Sequence, residues 1–264
     1  MNKKMIVLAA IALGAISASA EEAAAQASAP KETSISMSSS LGLESKYVFR
    51  GIQLADEIFT PAVDVSYGNF YAGAWFAFPE DSVDGYPTEM DIYAGYNIAV
   101  SEIVTLDVGA TRFAYDRVIS DFIKSGNAGN SFEFFTGVSA NILLSPSAYV
   151  YYDIDLHNMT VEVKIGHSFN FSDKISLNLG ANAGYVISTG GDNFKNAALS
   201  IYCDGNYCYS GATVDLAYNI NEKSSVSIGA RYSVSDFEGV YGSYHDIDSS
   251  RDALWFGASF STGF

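Results

Sequence analysis

The chain has 264 residues, with 30 acids against 14 Lys and Arg and a formal charge of −16. Charged residues make up only 17% and aromatics 14%, whereas an ordinary soluble domain is about 25% charged. So acidic a chain excludes a nucleic-acid partner, and two Cys with three His give little support to a thiolate–imidazole zinc site. No metal or other cofactor is expected.

Asn2, Lys3 and Lys4 form a basic start, Met5 to Ile16 an apolar core, and Ala18-Ser19-Ala20 a small-residue cleavage site. This is the pattern of a secretory signal peptide over 1–20, its core too short to span a bilayer. Neither Cys is near the cleavage site, so no lipoprotein anchor is expected. Removal leaves 244 residues and takes away two lysines and no acid, moving the charge from −16 to −18. Residues 21–36 are small, polar and unpatterned, and read as a flexible periplasmic segment. The domain proper is expected over 37–264.

No later stretch reaches 18 apolar residues, so no helical span is expected. Instead, apolar residues alternate with small or polar ones, which marks strands. Twelve strands are expected, at about 38–51, 60–68, 70–78, 87–99, 103–115, 131–143, 147–156, 160–169, 175–188, 209–220, 225–236 and 252–264. In the ninth, Ile175, Leu177, Leu179, Ala181, Ala183, Tyr185 and Ile187 face one way, and Ser176, Asn178, Gly180, Asn182, Gly184 and Ser188 the other. The glycines at 42, 73, 95, 109, 137, 166, 180, 211, 229 and 257 share the polar frame, where small residues permit tight curvature.

Connections alternate in length. Short ones fall at 68–69, 100–102, 144–146, 170–174 and 221–224; longer ones at 52–59, 79–86, 116–130, 189–208 and 237–251, with 157–159 the exception. A secreted β-sandwich has no reason to alternate in this way. An up-and-down antiparallel transmembrane β-barrel of about twelve strands does, apolar toward lipid and polar within. Its last strand places Leu254, Phe256, Ala258, Phe260, Thr262 and Phe264 on one face and Trp255, Gly257, Ser259, Ser261 and Gly263 on the other. A strand ending on Phe264 resembles the C-terminal signature of bacterial outer-membrane barrels, which implies recognition by the barrel-assembly machinery.

Ser45-Lys46-Tyr47-Val48-Phe49-Arg50-Gly51-Ile52 resembles the opening strand of the TorF-type porin family. Glu89-Met90-Asp91-Ile92-Tyr93-Ala94-Gly95-Tyr96, with the preceding Asn69-Phe70-Tyr71-Ala72-Gly73 hairpin, fits the same family. The chain departs from it at Gln53-Leu54-Ala55, where a Ser/Gln/Thr-rich continuation is expected. The resemblance implies a small barrel of the bacterial outer membrane with a pore role. Its partners would be membrane lipid, lipopolysaccharide and small solutes.

With Leu41, Leu43, Tyr47 and Phe49 setting an outward frame for the first strand, Glu44, Lys46 and Arg50 point inward. Extending the frame adds Asp64, Glu89, Asp91, Asp107, Glu133, Asp153, Asp155, Glu162, Lys164, Asp215 and Arg231. A basic side chain on the lipid face would cost about 2–4 kcal/mol at the midplane, so inward placement is the cheaper assignment. Excess carboxylate in a narrow aqueous channel concentrates cations, which points to a porin-like channel of weak cation selectivity. The same charges equally admit a barrel plugged by its own salt bridges, with Lys46 or Arg50 paired to neighbouring acids.

Other candidates are weaker. Asp153, Asp155 and His157 alternate toward one mouth, and His245, Asp246, Asp248 and Asp252 cluster in the last long loop; ordinary wet lining and a solvated loop account for both. Cys203 and Cys208 frame a short loop, and an oxidising periplasm favours a local disulfide there. No enzyme is expected: adjacent His167 and Ser168 face opposite ways, and His245-Asp246 is an isolated pair. An adhesin or receptor acting through its loops is the alternative, kept open by Tyr202, Tyr207 and Tyr209.

Overall fold

The computed structural model describes residues 34–80, 87–115, 130–188, 195–196, 201–202, 206–237, 240–241 and 252–264. The expected signal peptide, Cys203, His245, Asp246 and Asp248 lie outside the described residues. Those described form seventeen strands and no helix: β1 (Ile35–Glu44), β2 (Tyr47–Phe49), β3 (Ile52–Ala55), β4 (Ile58–Tyr67), β5 (Phe70–Pro79), β6 (Glu89–Ala99), β7 (Val104–Tyr115), β8 (Ser131–Ala140), β9 (Ser147–Asp153), β10 (Asn158–Asn170), β11 (Ile175–Ser188), β12 (Lys195–Asn196), β13 (Ile201–Tyr202), β14 (Tyr207–Asn219), β15 (Ser224–Ser235), β16 (Val240–Tyr241) and β17 (Asp252–Gly263).

Twelve of these close into an antiparallel barrel in the order β1-β17-β15-β14-β11-β10-β9-β8-β7-β6-β5-β4, with β4 pairing back to β1. The first and last staves meet with Leu41 opposite Phe260 and Gly42 opposite Ser259. Closure matters because an open edge would leave backbone donors and acceptors without partners in lipid. A separate small sheet joins β12, β13 and β16. Both barrel termini and the tight turns other than that between β9 and β10 lie at one end of the barrel, the turn end; the longer connections and the β9–β10 turn lie at the other, the loop end.

The longest stave, β11, has 14 residues, roughly 35 Å of rise at ~3.3 Å per residue and ~40° of tilt, enough to cross a bilayer's hydrocarbon core. Its two faces follow the alternation. Outward Leu179 and Tyr185 are exposed, while inward Asn178 is buried. Outward aromatics gather near both ends: Phe59, Phe78, Phe132, Tyr152, Tyr185 and Tyr232 toward the loop end, and Tyr67, Phe70, Tyr96, Phe169, Tyr218 and Phe260 toward the turn end. Two such girdles around an apolar band match the two interfaces of a membrane. The outward frame also holds Arg112 and Asp252, both near the loop end, where a charge can reach the interface.

Inside, aromatic side chains approach the glycines of neighbouring strands closely. A Cβ on Gly73 would fall 2.2 Å from the Tyr93 hydroxyl, and one on Gly109 would fall 2.4 Å from the Phe135 ring. The missing side chain is what admits the ring.

The first stave departs from expectation. It stops at Glu44 rather than continuing to 51, and Tyr47–Ala55 turns into the barrel as a β2–β3 hairpin. Tyr47, expected to face lipid, is buried inside, and Phe49 packs with it on the interior cluster. Phe49 and Ile52 face each other across Arg50-Gly51, which have φ of 48° and 80°. Two successive positive φ values make a type I′ turn, whose twist suits a two-residue hairpin and which Gly51 adopts without strain. A lipid-facing continuation would have carried Lys46 and Arg50 inward on a regular stave. The hairpin instead moves Tyr47, Phe49 and Leu54 into the interior core.

Candidate functional site

The interior of the barrel is the candidate site, and the strand period places most of it. Inward positions hold Glu44, Asp64, Glu89, Asp91, Asp107, Glu133, Asp153, Glu162 and Asp215, nine acids, against Lys164 and Arg231 on the wall and Arg50 on the hairpin. These groups assemble into four clusters.

At the hairpin, Arg50 donates from Nη1 to Glu133 Oε2 at 2.8 Å and from Nη2 to Oε1 at 2.9 Å. This is a bidentate pair reaching from the β2–β3 tip to β8. The guanidinium also lies 4.7 Å from the ring centroids of both Phe49 and Tyr151, a geometry in which ring quadrupoles attract a cation. Burial alone would lower the pKa of Arg50; the adjacent Glu133 outweighs it and holds the guanidinium above its usual range. Tyr47 donates its hydroxyl to Glu89 at 2.9 Å. Asp91, wholly buried, sits in the same acidic group.

Farther round the wall, Glu162 accepts from Tyr209 at 2.8 Å and from Asn182 at 3.0 Å and pairs with Lys164 at 3.1 Å. Beside the β1–β17 seam, Arg231 pairs with Asp215 at 2.8 Å and approaches Glu44 to 3.4 Å. The last cluster holds tyrosines on acids: Tyr71 and Tyr149 donate to Asp107 at 2.8 and 3.2 Å, and Tyr93 donates to Asp64.

Three expected lumen residues are placed differently. Asp155 is exposed in the tight turn between β9 and β10 and accepts the Phe132 N–H at 2.9 Å. It leaves the inward frame because β9 ends at Asp153, whose carboxylate accepts the N–H groups of Asp155 and Leu156. His157 occupies the same turn with φ of 52°. Lys46 donates to Gln53 across the hairpin at 3.0 Å and, among the described residues, pairs with no acid. His167 faces outward, its ring 4.6 Å from that of Phe169, with Ser168 on the opposite face. Cys208 is exposed at the loop end of β14. Among the described residues no three of His, Cys, Asp and Glu are grouped to hold a metal ion.

The inward tyrosines that hold the acids, and the hairpin itself, escape a reading by charge alone. Each left a signal: tyrosines in the glycine frame, and Arg50-Gly51 set between the apolar Tyr47-Val48-Phe49 and the mostly apolar Ile52-Gln53-Leu54.

A family model described as a bacterial protein of unknown function (Gcw_chp) matches residues 24–131, less than half of the chain. A comparison with the curated proteins finds no match. Among solved structures, the KdgM porin superposes with a TM-score of 0.53 at 9% identity, covering 87% of this chain and 99% of the porin. The same porin in complex with disordered oligogalacturonate gives 0.51 at 11%, with the same coverage. The NanC porin gives 0.49 at 10%, covering 86% and 98%. The closed antiparallel barrel is thus similar in fold to the KdgM porin. At these identities the likeness concerns the fold, and the interior of this chain has to be read from its own residues.

Proposed function

We propose that this protein is a channel of the bacterial outer membrane through which small solutes diffuse passively, with a weak preference for cations. The observation that carries the reading is a closed twelve-stranded barrel, girdled by aromatics outside, in which, among the described residues, the inward wall positions and the hairpin tip hold nine acids against three bases. Carboxylate excess between low-dielectric walls raises cation concentration and repels anions. The same excess argues against a polyanion such as the oligogalacturonate of the KdgM complex as a solute here.

The TorF-type resemblance carried by 45–52, 69–73 and 89–96 agrees with this reading; the family model that matches the same stretch is one of unknown function and names no activity. Export would use the signal peptide at 1–20, and insertion the assembly machinery reading Phe264. Lipid and lipopolysaccharide then surround the outward face.

The test is planar-bilayer recording on the purified chain under a salt gradient. Discrete conductance steps with a reversal potential on the cation side are expected. A folded barrel that never conducts, or one that prefers anions, overturns the proposal.

A further inference from the structure

The β2–β3 hairpin belongs to no part of the barrel's hydrogen-bonded wall. It is a two-stranded sheet of its own, and among the described residues the backbone of 46–56 forms no ladder with any stave. Yet it touches the wall in every direction. Tyr47 and Leu54 join the cluster formed with β4 to β9, Val48 packs with Ala253 and Trp255 of β17, and Ile52 packs against Val186, Tyr207 and Tyr209 of β11 and β14. Its tip meets β15, where Ser235 donates its hydroxyl to the Gly51 carbonyl at 2.9 Å. Every barrel stave other than β1 carries an inward side chain that is buried.

Both ends of the segment are tethered at the rim. Ser45 exchanges two hydrogen bonds with Phe256, its N–H to the carbonyl at 2.9 Å and its hydroxyl accepting the Phe256 N–H at 3.0 Å. At the other end, Glu80 N–H bonds to the Glu57 carbonyl at 2.9 Å. Between these tethers the contacts that seat it include side-chain packing, the Tyr47–Glu89 and Ser235–Gly51 bonds, the Arg50–Glu133 pair and the Arg50 guanidinium over the Tyr151 ring.

We infer that residues 46–56 are a gate: a hairpin plug that closes the lumen when seated and opens it by swinging on the tethers at Ser45 and Glu57. Release breaks no barrel ladder, so the wall stays closed while the plug moves. The Arg50–Glu133 pair is the latch, because it is the charged contact that reaches from the tip to the far wall. This inference rests on the channel reading above.

Single-channel recording separates the two. Three proteins are compared: the full chain, a variant with 47–55 replaced by Gly-Ser-Gly, and Arg50→Ala. Heat-modifiable gel migration establishes that each barrel is folded. The full chain is expected to rest closed, with brief openings to the conductance that the deletion variant shows continuously. Arg50→Ala is expected to raise the open fraction about tenfold or more, since a charged, buried hydrogen-bonded pair is lost from the seated state alone; it also keeps the test decisive if the deletion variant does not fold. A steady, smaller conductance in the full chain makes the hairpin a fixed constriction and overturns the gate. So does a folded deletion variant or Arg50→Ala that conducts like the full chain; either result leaves the channel reading standing. Silence from all three folded proteins overturns the channel reading, and the gate with it.

Discussion

Arg231 stands between two carboxylates, Asp215 on β14 and Glu44 on β1, and is itself 2% exposed. Replacing it by Met leaves those two acids facing each other without their base. Stability to urea, followed by tryptophan fluorescence of the refolded barrel, is expected to fall by about 3 kcal/mol. The lipid face is sensitive to the opposite change. Ala94 points outward in β6 between Ala72 of β5 and Ala110 of β7, and Ala94→Arg is expected to cost about 2–4 kcal/mol in the same titration. The charges themselves could be read from the sequence, because a period of two assigns each to a face. Their partners could not. Tyr209 and Glu162 are 47 residues apart and meet only because β14 and β10 flank β11 in the closed sheet.

Elements show where alternation stops being informative. Eleven of the twelve staves follow the expected spans closely, because lipid on one side and polar groups on the other impose one pattern throughout. The segment 45–51 continues that alternation in sequence and breaks it in space: Tyr47 reads as lipid-facing and is buried inside. A hairpin inside the lumen meets protein on both faces, so its residues obey packing and not the membrane's rule. The opposite terminus carries a different lesson. Phe264 is well exposed, and its N–H donates to the Met37 carbonyl at 2.9 Å. Phe264→Ala keeps that backbone bond, so the refolded barrel should differ from the native chain by less than about 0.5 kcal/mol. The amount assembled in the outer membrane of expressing cells should fall severalfold if the terminal ring is read during insertion. Equal amounts would exclude Phe264 as the assembly signal.

For the molecule as a whole, the proposed cation preference rests on the interior surplus of acids, an electrostatic origin that salt screens. The Debye length falls from about 10 Å at 0.1 M to 3 Å at 1 M. The cation preference measured by reversal potential should therefore be largest at the lowest salt and shrink toward none near 1 M. A preference unchanged across that range would point to a steric filter instead. The sequence by itself determined the architecture: twelve alternating segments, short and long connections in turn, and the inward position of most charges. These follow from local periodicity against a solvent that differs on the two faces of every stave. Only the tertiary structure decided how the interior is filled. Whether Arg50 pairs with Glu133, and whether 46–56 lines the wall or crosses the lumen, depends on contacts between residues more than 80 positions apart. No local pattern records such contacts, because they exist only once the barrel has closed around them.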